Sequence, residues 1–366
     1  MASLARAAAA LVLLSRGLAT VLVATNLRVD FLPAGTQAVI VSSAPEFSWV
    51  PLDSSGHARA LEQVAYQLQV SIDPTFSTVL FDSGLEQGNE TKLAVAAVAG
   101  VAPDTPVYWR VRVGGSDDGA TSTWAVSTFH RGLLPGDFSA QWVVPKSTRS
   151  TNAPVRFRAV VAAVPAGAVR ATVYVASPCY WHLFSSGTQL DAGSEMGPWT
   201  AFESRVLYST FNVTGLLQEG APLALGVRVA SGPYGVAKFG FPFTGAPLLL
   251  ELRVVLANGS TAVYATGGGD GALRLSAHPD SITAYDWYNG EVVDARLEAP
   301  LEGWDSPGYN ETGRGWEAVE PFTGVGSTAV LTPHDFGRIE RVAVFAPIAR
   351  LSPSPLVYSF SFAQVR

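Results

Sequence analysis

Three carboxylates, Asp286, Glu291 and Asp294, stand among Tyr285, Trp287, Tyr288, the pair Asn289-Gly290 and Arg296 in the stretch YDWYNGEVVDAR. Carboxylates this close can share acid–base work, ligate a metal, or pair with a cation such as Arg296. In an extended strand Glu291 and Asp294, three apart, face opposite sides, and only a turn at Asn289-Gly290 would bring acids together. The spacing therefore speaks for fastening: a turn at Asn289-Gly290, a local pairing of Glu291, and Asp294 held by Arg296 or by another domain's cation. Asp294 follows Val292-Val293 and precedes Ala295-Arg296, so it is expected to be a mostly buried structural acid. On that expectation its loss costs more than the loss of Glu311 in the polar loop beside Asn310.

A second constellation is CYWHLFSSGTQLDAGSEMGPWTAFESR. Tyr180, Trp181 and Trp199 could form an aromatic platform, with Asp191 and Glu195 as polar contacts. Strand alternation gives the competing expectation: Trp181 and Leu183 buried, Tyr180 and His182 outward. Cys179 is the only cysteine, so no disulfide forms within the chain, and its neighbours favour a buried, inert thiol. The five histidines show no metal-ligand spacing, which argues against zinc chemistry. GLLPGD and TGGGDGA have turn glycines but no P-loop lysine.

The elements that must position these residues are strands. With 366 residues, 35 glycines, 24 prolines and 15% charged residues, the chain reads as many short strands joined by tight turns. In YWRVRV, Trp109, Val111 and Val113 share a core face while Tyr108, Arg110 and Arg112 share a wet one. The predicted fold is all-β: a fibronectin type III-like sandwich over 20–132, with Trp49 for its core, and a linker over 133–150 anchored by Trp142. A larger jelly-roll-like β-sandwich over 151–320 and a truncated start of a further β domain over 321–366 complete it. LLLELRVVL before Asn258-Gly259 reads as a strand entering a hairpin. A net charge of −6 without basic clusters leaves no face for nucleic acid.

The first nineteen residues have signal-peptide shape, with Arg6, a short apolar run and Ala19 at the expected cleavage point. The run is too short to span a membrane. The absence of acids before Asp30 also suits a transit peptide. Four of the seven asparagines, Asn89, Asn212, Asn258 and Asn310, open Asn-x-Ser/Thr sequons, which favours secretion and N-glycosylation.

From residue 20 onward the pieces NLRVDFL, FSWV, AYQLQVS, FDSG, YWRVRV and WAVSTF, then ATVYVASPCYWHLFSSG, VLYSTFNVTGLL, YDWYNGEVVDAR and the pair Gly303-Trp304, follow one another in the order seen in a known family. The chain resembles the N-terminal, non-catalytic half of the bacterial-type α-L-rhamnosidases, glycoside hydrolase family 78. It departs from the family at Ser185-Ser186-Gly187, where Leu-Asn-Gly is usual, and at Ser361 and Ala363 near its end.

The resemblance implies an inverting hydrolase of terminal α-L-rhamnose whose two carboxyl groups belong to an α-helical toroid. That toroid is expected after this point and is absent from the sequence, so no catalytic residue is assigned. The chain is then an accessory region whose partners are rhamnose-containing glycans or glycosides and the missing catalytic domain. The alternative is a free-standing secreted rhamnose-binding protein; a third reading is an adhesion scaffold. The resemblance also keeps a ligand role open for the first stretch. Asp286 and Glu291 with backbone carbonyls could hold calcium, which grips a sugar's vicinal hydroxyls, with Trp287, Tyr288 and Asn289 beside it. No other cofactor is expected.

Overall fold

The computed structural model describes residues 22–33, 35, 38–54, 62–116, 121–147, 153–191, 197, 199–232, 245–268, 273–286, 290–324, 329–335, 343–355 and 357–362, with Asp286 described by its backbone. The expected signal peptide lies outside these residues. Among them no helix is long and apolar enough to cross a membrane.

Alternation builds the first domain. On strand Thr105–Gly115, Trp109, Val111 and Val113 are fully buried, whereas Tyr108, Arg110 and Arg112 keep partial access to solvent. One sheet orders Leu32–Pro33, Leu22–Val29, Glu46–Asp53 and Lys92–Ala94. The other orders Val39–Ile40, Ala125–Arg131, Thr105–Gly115, Gln63–Ser71 and Val79–Asp82. Phe47 and Trp49 meet Trp109, Phe129 and Leu68 between the sheets, with Phe47 edge-on to Trp109 at 5.0 Å between ring centroids. Each such fully buried side chain contributes about 1.5–3 kcal/mol, which makes this a self-sufficient core. On the wet face the Arg110 guanidinium lies 4.4 Å from the Trp124 ring.

The second domain packs a seven-stranded sheet on a five-stranded one. The larger runs Val143–Pro145, Glu317–Pro321, Leu273–Pro279, Val155–Val161, Leu223–Ala230, Tyr180–Ser185 and Thr188–Gln189. The smaller runs Thr261–Ala265, Leu249–Leu256, Ala168–Ala176, Arg205–Asn212 and Val330–Pro333. The Leu249–Leu256 strand turns at Asn258-Gly259 as expected, with Gly259 at φ +84°, a conformation glycine adopts without a Cβ penalty.

Two boundaries differ from the sequence reading. Residues 133–147, expected as linker, are part of the second domain: Leu133 is fully buried, Val143–Pro145 pairs with Glu317–Pro321, and Trp142 packs on the core. Loop-like composition there hides a three-residue strand whose register is set by a partner over 170 positions away. Beyond residue 320, Val330–Pro333 pairs in parallel with Arg205–Asn212, so the sandwich extends past the expected end. After it, Ala349–Ser354 and Val357–Ser361 form a separate hairpin.

The domains meet at a buried acid. Asp104, at the start of the Trp109 strand and at φ +58°, accepts hydrogen bonds from Tyr174 Oη at 2.7 Å and Arg170 Nη1 at 3.2 Å, both in the second domain. His130 Nε2 lies 3.0 Å from the same oxygen. Burial opposes the charge of Asp104, but the His130 hydrogen bond and the Arg170 charge outweigh it and hold its carboxyl below the usual range.

Candidate binding cleft

On Tyr180–Ser185 every second residue enters the core. Trp181 and Leu183 are buried, Trp181 edge-on to Phe211 at 6.0 Å, while Tyr180 and His182 keep partial exposure on the outer face. His182 is in register with Arg228 on the neighbouring strand Leu223–Ala230, so a cation stands beside it. Above them folds the hairpin Ile282–Asp286 and Gly290–Val293, in which Tyr285 pairs with Glu291 and Gly290 takes φ +83° at the turn. This brings the Tyr180 and Tyr285 rings edge-to-face, 6.4 Å apart. Pro154, Tyr180, His182, Arg228, Tyr285 and Glu291 line a cleft of about 240 Å³.

The base of the hairpin is fixed by ion pairs. Asp280 is wholly buried and meets Arg156 Nε at 2.9 Å and Arg228 Nε at 2.7 Å, and it accepts a hydrogen bond from the Ile282 amide at 3.1 Å. Glu298 takes the far side of the buried Arg156 at 2.7 Å. Burial alone would raise the Asp280 carboxyl, yet the Arg156 hydrogen bond and the Arg228 charge hold it below the usual range. Two guanidiniums facing two carboxylates make this base close to neutral, and Glu291 adds one negative charge at the mouth. A free anion finds no surplus of positive charge here, whereas a polyol finds donors, acceptors and an aromatic wall. Desolvation, with the neighbouring Tyr285, pushes the Tyr180 phenol up to about 12, so it stays a neutral hydroxyl at physiological pH.

The expected site residues are only partly united. Tyr180 and Glu291, from stretches more than a hundred residues apart, line the same cleft. Trp181 also borders the cleft, but its ring is no open platform: alternation turns it into the core against Phe211, with 2% of the residue exposed. Asp191 is buried rather than offered to a ligand, and its carboxylate lies 2.9 Å from His182 Nδ1 and accepts from the Leu183 amide at 3.1 Å and Gln189 Nε2 at 2.6 Å. It orients His182 instead. Trp199 is 51% exposed and is not among the described residues lining the cleft. Glu195, Trp287, Tyr288, Asn289 and the Asp286 side chain lie outside the described residues.

Asp294 is hydrogen-bonded as expected and is partly, not fully, buried. Its carboxylate accepts from the Arg296 amide at 3.1 Å, Arg296 Nε at 2.9 Å and Nη2 at 2.6 Å, while 26% of its side chain stays exposed. These hydrogen bonds lower its carboxyl. The acid caps the short 3-10 turn Ala295–Leu297, and the solvent above that turn is why it is not fully enclosed. Glu311 is the more enclosed acid, at 15% exposure, with Oε1 2.8 Å from Nη1 of the buried Arg158.

Sequence reasoning missed His182, Arg228 and Tyr285 as cleft residues. The outward position of Arg228 in LALGVRVA was readable from alternation, but its register beside His182 was not. Of the two acids expected to hold calcium, Glu291 lies in the cleft beside Arg228 and His182, and the Asp286 side chain lies outside the described residues. Among the described residues no three acidic, histidine or cysteine side chains converge as metal ligands. Cys179 is buried, its thiol pushed up to about 12 by desolvation, as its apolar neighbours predicted.

Residues 24–135 match a model described as the Rha78A-like, N-terminal immunoglobulin domain, and residues 167–335 match the alpha-L-rhamnosidase N-terminal domain. A curated alpha-L-rhamnosidase of Streptomyces avermitilis is 34% identical over 154 residues, 41% of this chain and 14% of the relative. The solved alpha-L-rhamnosidase from Dictyoglumus thermophilum superposes over 93% of this chain and 38% of its own, with 22% identity and a TM-score of 0.77. The native enzyme from Aspergillus terreus gives 90%, 37%, 22% and 0.74 for the same quantities. The chain thus spans well under half the length of these relatives.

Proposed function

By both of its domains the chain belongs to the N-terminal region of the α-L-rhamnosidases, and on that premise we propose that it recognises rhamnose-bearing glycans or glycosides for a rhamnosidase whose hydrolytic centre lies outside these two domains. The observation that supports this reading is the cleft joining Tyr180, His182 and Arg228 to Tyr285 and Glu291. Tyrosine rings suit the C–H face of a deoxysugar, Arg228 and the neutral Tyr180 hydroxyl donate to ring hydroxyls, and Glu291 accepts from them.

Secretion and N-glycosylation belong to the same proposal. Asn89, Asn212, Asn258 and Asn310 are all exposed, and Oδ1 of the last three accepts from the backbone amide two residues on, at 3.0, 2.9 and 3.0 Å. Calorimetric titration of the purified chain with L-rhamnose and with a rhamnosylated glycoside tests the recognition role. Saturable heat, unchanged by chelator, supports it. Heat no greater than that given by glucose refutes it.

A further inference from the structure

A second cavity, of about 180 Å³, lies between the two domains and ends at a sequon. Two cross-strand pairs face each other across it: Tyr108 with Thr128 in the first domain, and Thr172 with Asn212 in the second. Arg170, already bonded to Asp104, forms part of the wall. Asn212 is exposed at the end of its strand and begins Asn-Val-Thr. The other sequon asparagines sit on connections between strands: Asn89 between Glu86–Gln87 and Lys92–Ala94, Asn258 in the turn before Thr261–Ala265, and Asn310 before Glu317–Pro321.

We propose that Asn212 is a glycosylation site whose first sugar seats in this interdomain cavity and bridges the two domains. The proposal rests on the secretory reading above. In the transfer step the Asn212 amide nitrogen attacks the anomeric carbon of a lipid-diphosphate-linked oligosaccharide. The new N–C bond replaces the C–O bond to diphosphate, the amide gives up one proton to a base of the transferase, and the lipid diphosphate leaves. Asn212 Oδ1 is held by the Thr214 amide, so Nδ2 is the side-chain atom left for that bond. At a liquid-water share of roughly 30 Å³ per molecule, the cavity has room for about six waters, the scale of one sugar ring rather than a chain. Tyr108 offers that ring an aromatic face, and Thr128, Thr172 and Arg170 offer hydroxyls and a cation, so the first sugar is partly enclosed while later units run into solvent.

The test is to produce the full chain in a eukaryotic secretory host, map glycopeptide masses, and digest the native protein with an amidase that cleaves the asparagine–sugar bond. Asn212 should be occupied and released at least tenfold more slowly than Asn258, with the two rates converging in denaturant and in Tyr108→Ala. Equal native rates, or occupancy of other sequons with Asn212 bare, would overturn the seat and leave the secretory reading standing. Four bare sequons would overturn both.

Discussion

Tyr180 and Tyr285 stand edge-to-face, 6.4 Å between ring centroids, one on a strand of the seven-stranded sheet and one on the hairpin folded over it. Neither element alone makes a cleft. The hairpin is held in place below by Asp280, which joins Arg156, Arg228 and the Ile282 amide, so the shape of the cleft depends on a buried ion-pair cluster.

That dependence gives a pH effect. The folded-state carboxyl of Asp280 is depressed below its unfolded value near 3.9, so it contributes stability above about pH 4 and loses it as pH falls through the folded value. Urea midpoints should drop steeply on the acid side for the wild type, and Asp280→Asn, less stable at pH 7, should show a shallower drop. Parallel acid limbs would remove Asp280 from this role.

The interdomain contact should show the cost of an uncompensated buried network. Asp104→Asn leaves Arg170 and Tyr174 without their shared anion and is expected to cost about 3 kcal/mol. Calorimetry should then separate the melting of the two domains. A single transition at the wild-type midpoint would show that Asp104 does not couple them.

The two acids compared at the outset exchange rank. Glu311→Ala should cost about 2 kcal/mol because it leaves the buried Arg158 without its carboxylate, whereas Asp294→Ala removes a partly exposed cap whose only cation is the exposed Arg296 and should lower the thermal midpoint less. A larger drop for Asp294→Ala would contradict this order.

Gly226 lies under the Trp304 ring, and a Cβ there would stand 2.5 Å from Cη2 and 2.9 Å from the Asp305 Cβ. Gly226→Ala should therefore cost about 2 kcal/mol by overpacking and disturb the Trp304–Trp316 stack, read as a fall in urea midpoint with altered near-ultraviolet dichroism. An unchanged midpoint and spectrum would show that Trp304 is free to move aside.

Much of the fold was legible because alternation is local: the inward Trp109, Trp181 and Leu183 and the outward Tyr180 and His182 could be read from single strands. The ordered motifs pointed to the two domains the comparisons found. Pairings over long separation were not legible, which is why Val143–Pro145 read as linker and Arg228 went unnoticed. Polar residues were misjudged for two reasons: Asp191 turns inward to its near neighbours His182 and Gln189 instead of outward, and Glu311 reaches Arg158, 153 positions away. The enclosure of Asp294 is only partial because the strand-like sequence around it leads into a solvent-facing turn.

Within the cleft, Glu291 is the one carboxylate among the described lining residues, whereas hydrolysis of a glycosidic bond takes two. The purified chain should not release nitrophenol from p-nitrophenyl α-L-rhamnoside above background. Turnover abolished by Glu291→Gln would reassign the cleft to catalysis.

The most direct measurement is a double-mutant cycle on rhamnoside affinity, with Tyr180→Ala, Glu291→Gln and the combined variant titrated calorimetrically beside Trp199→Ala. If the cleft holds the sugar, each single change should weaken binding at least fivefold, the pair should depart from additivity, and Trp199→Ala should bind as the wild type does. Wild-type affinity in Tyr180→Ala and Glu291→Gln, with the loss confined to Trp199→Ala, would contradict the cleft as the recognition site.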